Sequence, residues 1–138
     1  MKTVDVLLVE DNAGDALLTG QTLSQCSVAV KLHIARDGEQ ALMMLSDPDF
    51  QPELIILDLN LPKISGIEML KRMSRKEIPV VVFSSSWNEV EIERVLGHGV
   101  RDFVQKPTDI DAFTAAVCGI IDKWAAPPDI NRANGAAS

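Results

Sequence analysis

Short apolar runs alternate along the chain with segments whose apolar positions recur every three or four residues, the signature of strands interleaved with helices. Val4 to Val9 reads as a buried strand, and a helical pattern follows from about Ala13 to Ser24 through Ala16, Leu17 and Leu23. Val28, Val30, Leu32 and Ile34 alternate with Ala29, Lys31 and His33, the period of a strand with one wetter face, as at a sheet edge. Gly38 to Leu45 is helical, Pro48 to Pro52 turn the chain, and Leu54 to Leu57 form a brief, fully apolar strand. Beyond Pro62 and Gly66 a third helix runs to about Ser74, and Pro79 opens the strand Val80 to Phe83. Asn88 is placed to cap a fourth helix, with Glu91 completing a capping box and Trp87 stapling onto Ile92, until Gly97 and Gly99 end it. Val100 to Gln105 is the last strand, and a helix capped by Thr108, with Asp111 in its first turn, reaches about Trp124.

Strands that alternate with helices make βαβ units, and right-handed crossovers then place helices on both faces of a parallel sheet. The expected class is α/β, a doubly wound five-stranded parallel sheet. Residues 1–124 form the domain and 125–138 a short tail rich in Ala, Pro and Asn. Ligands of such sheets bind beyond the carboxyl ends of the strands, near the point where strand order reverses. Polar residues at those ends are therefore the candidates: Glu10 and Asp11 after the first strand, Asp58 after the third, Ser84 after the fourth and Lys106 after the fifth.

Three carboxylates drawn into one cleft repel one another, and a hard divalent cation with oxygen ligands relieves that repulsion. Magnesium fits, with Asp11 and Asp58 as direct ligands and Glu10 acting through a bound water, because this ion retains several waters and takes only one or two carboxylates. A carboxylate is also a nucleophile toward phosphorus, and a transferred phosphoryl group is stabilised by positioning and by positive charge around its oxygens. Lys106 supplies charge, and the Ser84 hydroxyl a donor.

The 138 residues suffice for one domain with a real core. A net charge of -7 argues against nucleic acid, whose affinity rests on clustered Lys and Arg. No stretch approaches membrane-spanning length and the start lacks a signal-peptide core, so the cytoplasm is expected. Cys26 and Cys118 have neither metal spacing nor a CxxC arrangement and read as inert thiols, with no disulfide expected. His33 and His98 lack partners at metal spacing.

With these residues in place, the chain resembles the receiver domains of two-component response regulators over residues 3 to about 124. The resemblance is carried by Leu8-Val9-Glu10-Asp11-Asn12, Leu57-Asp58-Leu59-Asn60-Leu61-Pro62, Pro79-Val80-Val81-Val82-Phe83-Ser84 and Phe103-Val104-Gln105-Lys106-Pro107. It implies strand order 2-1-3-4-5 and a phosphoacceptor, Asp58, that takes a phosphoryl group from a sensor histidine kinase. It further implies Mg2+ held by Asp11, Asp58 and the backbone carbonyl of Asn60, a Lys106 paired with the phosphoryl group, and a cis Lys106–Pro107 bond. Ser84 and Phe103 match the family's switch pair, whose coupled movement would remodel the face of helix four, strand five and helix five. Such a protein is not an enzyme with a separate substrate; it takes part in its own phosphorylation and dephosphorylation. Ser65 departs from the acid often found at its position, and Asn60 and Ser86 stand where the family tunes phosphoryl hydrolysis.

No DNA-binding or enzymatic segment follows helix five, so output is expected through a downstream protein. Phe113, Val117, Ile120 and Trp124 form the core stripe of that helix, while Cys118 and Ile121 lie off it and, with helix four, suit a homodimer. The stretch from Glu10 to Thr22 and the Trp-ended fifth helix also resemble single-domain regulators that partner bacterial phytochrome kinases. The rival readings are a flavin binder, which Glu10 and Asp11 would oppose by repelling its phosphate, an aspartyl-phosphate phosphatase, and a phosphorylation-independent adaptor with the same fold.

Overall fold

The computed structural model describes residues 3–85 and 87–125. Its strands are β1 (Val4–Val9), β2 (Val30–Ala35), β3 (Leu54–Leu57), β4 (Val80–Ser84) and β5 (Asp102–Gln105), joined in one parallel sheet of order β2-β1-β3-β4-β5. Between them run α1 (Ala13–Leu23), α2 (Gly38–Leu45), α3 (Gly66–Arg72), α4 (Glu89–Leu96) and α5 (Ile110–Ile120), the last continuing into a π-helical turn, Ile121–Ala125. The predicted doubly wound α/β class and strand order are those observed.

Burial explains the order. β1, β3 and β4 are almost entirely apolar and occupy the interior of the sheet, whereas β2 and β5, with polar residues interspersed, form its edges. Side chains alternate between two cores, as a pleat with a period of two requires. Leu7, Val9, Ile55, Leu57, Val80 and Val82 face Ala41, Leu45, Met69, Leu70 and Val95 of α2, α3 and α4. Val6, Leu8, Ile56, Val81 and Phe83 face Ala16 of α1 and Phe113, Val117 and Ile120 of α5.

Each helix starts at a short polar side chain that accepts a backbone N–H: Asn12, Asp37, Ser65, Asn88 and Asp109. The Asn88–Glu91 capping box forms as expected. At α5 the cap is Asp109 rather than Thr108, because the helix begins one residue later than a Thr108 cap requires. Ser65, where the family often has an acid, caps α3 by accepting from the Glu68 N–H at 3.1 Å. The Trp87 ring packs against Phe103, with centroids 6.0 Å apart.

The expectation of two inert thiols is overturned. Cys26, just past α1, and Cys118, on α5, are disulfide-bonded, with Cα atoms 5.2 Å apart across a sequence separation of 92. Sequence spacing carries no information about such a pair, because α1 and α5 become neighbours only when the sheet places both on the same face. Ile121, expected off the core stripe, is fully buried because the π turn swings it inward. Ile121 is therefore not free dimer surface. The tail from 126 to 138 and Ser86 lie outside the described residues.

Candidate functional site

Register brings the strand ends together. Val9 and Leu57 are paired across β1 and β3, so Glu10 and Asp58 emerge side by side, and the Asp58 N–H donates to the Val9 carbonyl at 3.1 Å. Ser84 ends β4 opposite Gln105, and the next N–H, that of Lys106, donates to the Ser84 carbonyl at 3.0 Å. The last rungs of the ladder thus fix the backbone of each candidate residue to within the spacing of neighbouring strands.

Lys106 is 9% exposed and sits at the centre. Its ammonium donates to Glu10 Oε1, to Asp58 Oδ2 at 2.9 Å and to Asp15 Oδ2 at 2.9 Å. The other oxygen of Asp58, Oδ1, accepts from Ser84 Oγ at 2.8 Å and from the Asn60 N–H at 3.0 Å. The Asn60 side chain donates in turn to Ser84 Oγ at 3.4 Å. Glu10 Oε2 accepts from the Asn12 N–H at 3.2 Å. Asp58 is 6% exposed and Glu10 2%, so both carboxylates have lost nearly all their water and depend on these donors.

The electrostatics separate the two acids. Burial is the largest influence on Asp58 and opposes its ionisation, but the Asn60 N–H, Lys106 and Ser84 together outweigh it and hold its carboxyl below the ordinary value. Asp58 is thereby an ionised carboxylate over the neutral range. For Glu10 burial prevails over its bond to Lys106, and with Asp58 repelling it the carboxyl is pushed up to about 7. Burial opposes the charge on Lys106, yet Glu10, Asp15 and Asp58 raise its pKa above the usual lysine value.

Of the residues predicted from sequence, Glu10, Asp58, Ser84 and Lys106 meet in one hydrogen-bonded cluster. Asp11 follows Glu10 but is exposed at the mouth. Among the described residues no group of three or more His, Cys, Asp or Glu side chains is arranged to hold a metal ion by itself. The donor set does fit an ion that takes one or two carboxylates, a carbonyl and water, since the candidate ligands Asp11, Asp58 and the Asn60 carbonyl are all hard oxygen donors that follow the neighbouring strands β1 and β3. Phe103 is half-buried on edge strand β5 against the α2–α3–α4 core. Asp15 was missed by sequence reasoning. It lies one turn into α1, its N–H capped by Asn12 at 2.9 Å, and its carboxylate reaches Lys106. The signal available was an acid in the first turn of the helix after Glu10-Asp11-Asn12, which equally suits the helix dipole.

One implication of the resemblance fails. Among the described residues no peptide bond is cis, so Lys106–Pro107 is trans. The lysine needs no cis bond to point inward, because the register of β5 against β4 and three acceptors already direct it, and trans is the lower-energy isomer.

A doubly wound sheet whose strand ends gather two buried acids, a hydroxyl and a lysine defines a receiver-type class. Residues 6–118 match the model of the response regulator receiver domain, and the chain belongs to that family. It is 34% identical over 128 residues to the response regulator Rcp1 of Synechocystis, covering 86% of this chain and 87% of that one. The Mn2+-bound form of Rcp1 superposes with a TM-score of 0.80 at 32% identity, covering 91% of this chain and 97% of that one. The phosphorylated cyanobacterial phytochrome response regulator RcpA superposes with a TM-score of 0.81 at 33% identity, covering 89% and 94%. Among the described residues no helix is long and apolar enough to cross a membrane.

Proposed function

We propose that this chain is a cytoplasmic response regulator receiver whose Asp58 accepts a phosphoryl group from the phosphohistidine of a sensor histidine kinase. The observation that carries the reading is the set of donors gathered on buried Asp58. One carboxylate oxygen is held by Lys106 and the other by Ser84 and the Asn60 N–H, so the nucleophile is ionised, oriented and flanked by donors for phosphoryl oxygens. Asp58 attacks phosphorus, the bond to the histidine nitrogen breaks, and an acyl phosphate forms on Asp58. Lys106 then leaves Asp58 Oδ2 for a phosphoryl oxygen. Ser84 turns its hydroxyl from Asp58 Oδ1 toward another.

Asp11, Asp58 and the Asn60 carbonyl would hold Mg2+, with Glu10 contributing through a bound water. The ion would neutralise charge gathering on the phosphoryl oxygens. The Mn2+-bound Rcp1 structure supports a divalent cation here. Hydrolysis of the acyl phosphate by water ends the signal, with Asn60 beside the path.

Movement of Ser84 leaves room toward which half-buried Phe103 turns, and the Trp87 ring packed on Phe103 carries the change to α4. The remodelled face of α4, β5 and α5 is the output. Val90, Leu96 and Ile110, each more than half exposed, give that face the apolar surface for a downstream protein or a homodimer. The likeness to RcpA, a cyanobacterial phytochrome response regulator, supports a bacteriophytochrome as the kinase. Residues 1–124 act as the receiver module.

The test is intact-mass measurement after incubation with acetyl phosphate and Mg2+. One phosphoryl adduct is expected, lost in Asp58→Asn and when the metal is chelated. An unmodified wild-type chain, or an adduct that persists in Asp58→Asn, would refute the proposal and favour a phosphorylation-independent adaptor.

A further inference from the structure

The Cys26–Cys118 bridge stands apart from the phosphoacceptor cluster. α1 and α5 both start at the carboxyl end of the sheet and run away from it, so Cys26 just past α1 and Cys118 late in α5 meet near the opposite edge. There Val4 begins β1 by donating to the Ala29 carbonyl at 3.0 Å. The fold brings the two Cα atoms to 5.2 Å, within the span a disulfide requires.

Three features make this pair a place of exchange rather than an enclosed staple. Both cysteines are only half-buried. Beside Cys118, Gly119 is exposed and carries no side chain that could cover the bridge. Beside Cys26 runs a groove of about 540 Å³, lined by Gly20, Leu23, Ser24, Ser27 and Val28. That volume is in the range of small-molecule sites, and its mixture of apolar side chains, hydroxyls and backbone suits a peptide-like thiol.

The opened state is also provided for. Cys26 Sγ lies 3.6 Å from the Thr22 carbonyl, an acceptor for the S–H once the bridge is cut. The packing of Ala16 with Phe113 and Val117, and the Ser27–Asp122 hydrogen bond of 3.2 Å, hold α1 beside α5 without the bridge. Cutting it therefore loosens the end of α5 and the π turn without dismantling the core.

We propose that Cys26 and Cys118 form a reversible thiol–disulfide exchange site. It takes a small thiol of the glutathione class through the groove beside Cys26, and so locks or frees α5 against α1. The thiolate of the small molecule attacks Cys26 Sγ, the bond between the cysteines breaks, and Cys118 leaves as a thiolate that takes a proton. A second small thiol attacks the mixed disulfide, releasing Cys26 as a thiol and the small molecule as its own disulfide. Two electrons and two protons pass to the cysteines, and the reverse sequence closes the bridge. The assignment holds whether or not Asp58 accepts a phosphoryl group.

The test equilibrates the full chain, under native conditions, in glutathione buffers from fully reduced to fully oxidised, followed by an acid quench, alkylation and intact mass. Both cysteines are expected to be alkylated at the reduced end and neither at the oxidised end, with the same curve approached from both sides and the chain free of intermolecular crosslinks. Cys118→Ser in oxidised glutathione should trap one glutathione on Cys26. The thermal midpoint of the bridged form should exceed that of the reduced form by roughly 6–15 °C. Reduction that requires denaturant, or crosslinks that form only between chains, would overturn the site. Glutathione captured by Cys118 in Cys26→Ser but not by Cys26 in Cys118→Ser would overturn the groove as its entrance.

Discussion

Replacing Lys106 by Met removes the one cation at the centre of the acid cluster while keeping the length of the side chain. In the wild type its ammonium serves Glu10, Asp58 and Asp15, and the first two are 2% and 6% exposed. Leaving a buried charge without its partner costs about 3–5 kcal/mol, and Asp15, a third exposed, adds little because it can turn to water. The loss has a pH signature. Glu10 is already raised to about 7 by burial, from 4.5 when unfolded. A raised carboxyl binds a proton in the folded chain that the unfolded chain has released, so its contribution is fully present below pH 4.5 and falls until the pH passes the folded value. Without Lys106 the folded value moves higher still, and the fall that ends near pH 7 in the wild type continues above it. The cost of the substitution should therefore grow by up to about 1.4 kcal/mol per unit above neutrality. Urea denaturation of both proteins at pH 6, 7 and 8 without metal measures this. An unchanged midpoint at pH 8, or a larger loss at pH 6 than at pH 8, would refute the account of Lys106 as the neutraliser of buried anions.

Three other outcomes are expected. Mg2+ affinity, read by isothermal titration calorimetry, should weaken as pH falls below about 7, by up to about tenfold per unit, because Glu10 must release its proton to serve a hydrated cation. An affinity constant across that range would remove Glu10 from the metal's surroundings. Asp15→Asn should change stability by less than about 1 kcal/mol, yet speed phosphorylation by acetyl phosphate roughly two- to tenfold, since an anion 2.9 Å from Lys106 is gone and the ammonium is freer for the phosphoryl group. Slower uptake would show that Asp15 orients Lys106 productively. Gly66→Ala should lower stability by about 1–3 kcal/mol in thermal denaturation, because the new Cβ would stand 3.0 Å from the Asp58 carbonyl and 3.1 Å from Leu59 Cα. Acetyl phosphate uptake by Asp58 should fall with it.

The alternation of apolar runs with helical periodicity determined the five strands, the five helices and the side of the sheet where chemistry gathers, because each rests on local spacing and on the rule that parallel sheets bind at their carboxyl ends. Glu10, Asp58, Ser84 and Lys106 were legible for the same reason: each is polar and directly ends or follows an apolar strand. The tertiary structure alone decided what those residues do to one another. Sharing of Lys106 by three carboxylates, the division of Asp58's oxygens between Lys106 and Ser84, and the exclusion of exposed Asp11 from the cluster depend on register and rotamer. Asp15 escaped notice because a first-turn acid on a helix needs no further explanation, and only the placing of α1 beside α5 on one face of the sheet brings it within reach of Lys106. The Cys26–Cys118 bridge is the extreme case: 92 residues separate the two sulfurs, no periodicity relates them, and their meeting follows from two crossovers laying α1 and α5 on one face of the sheet.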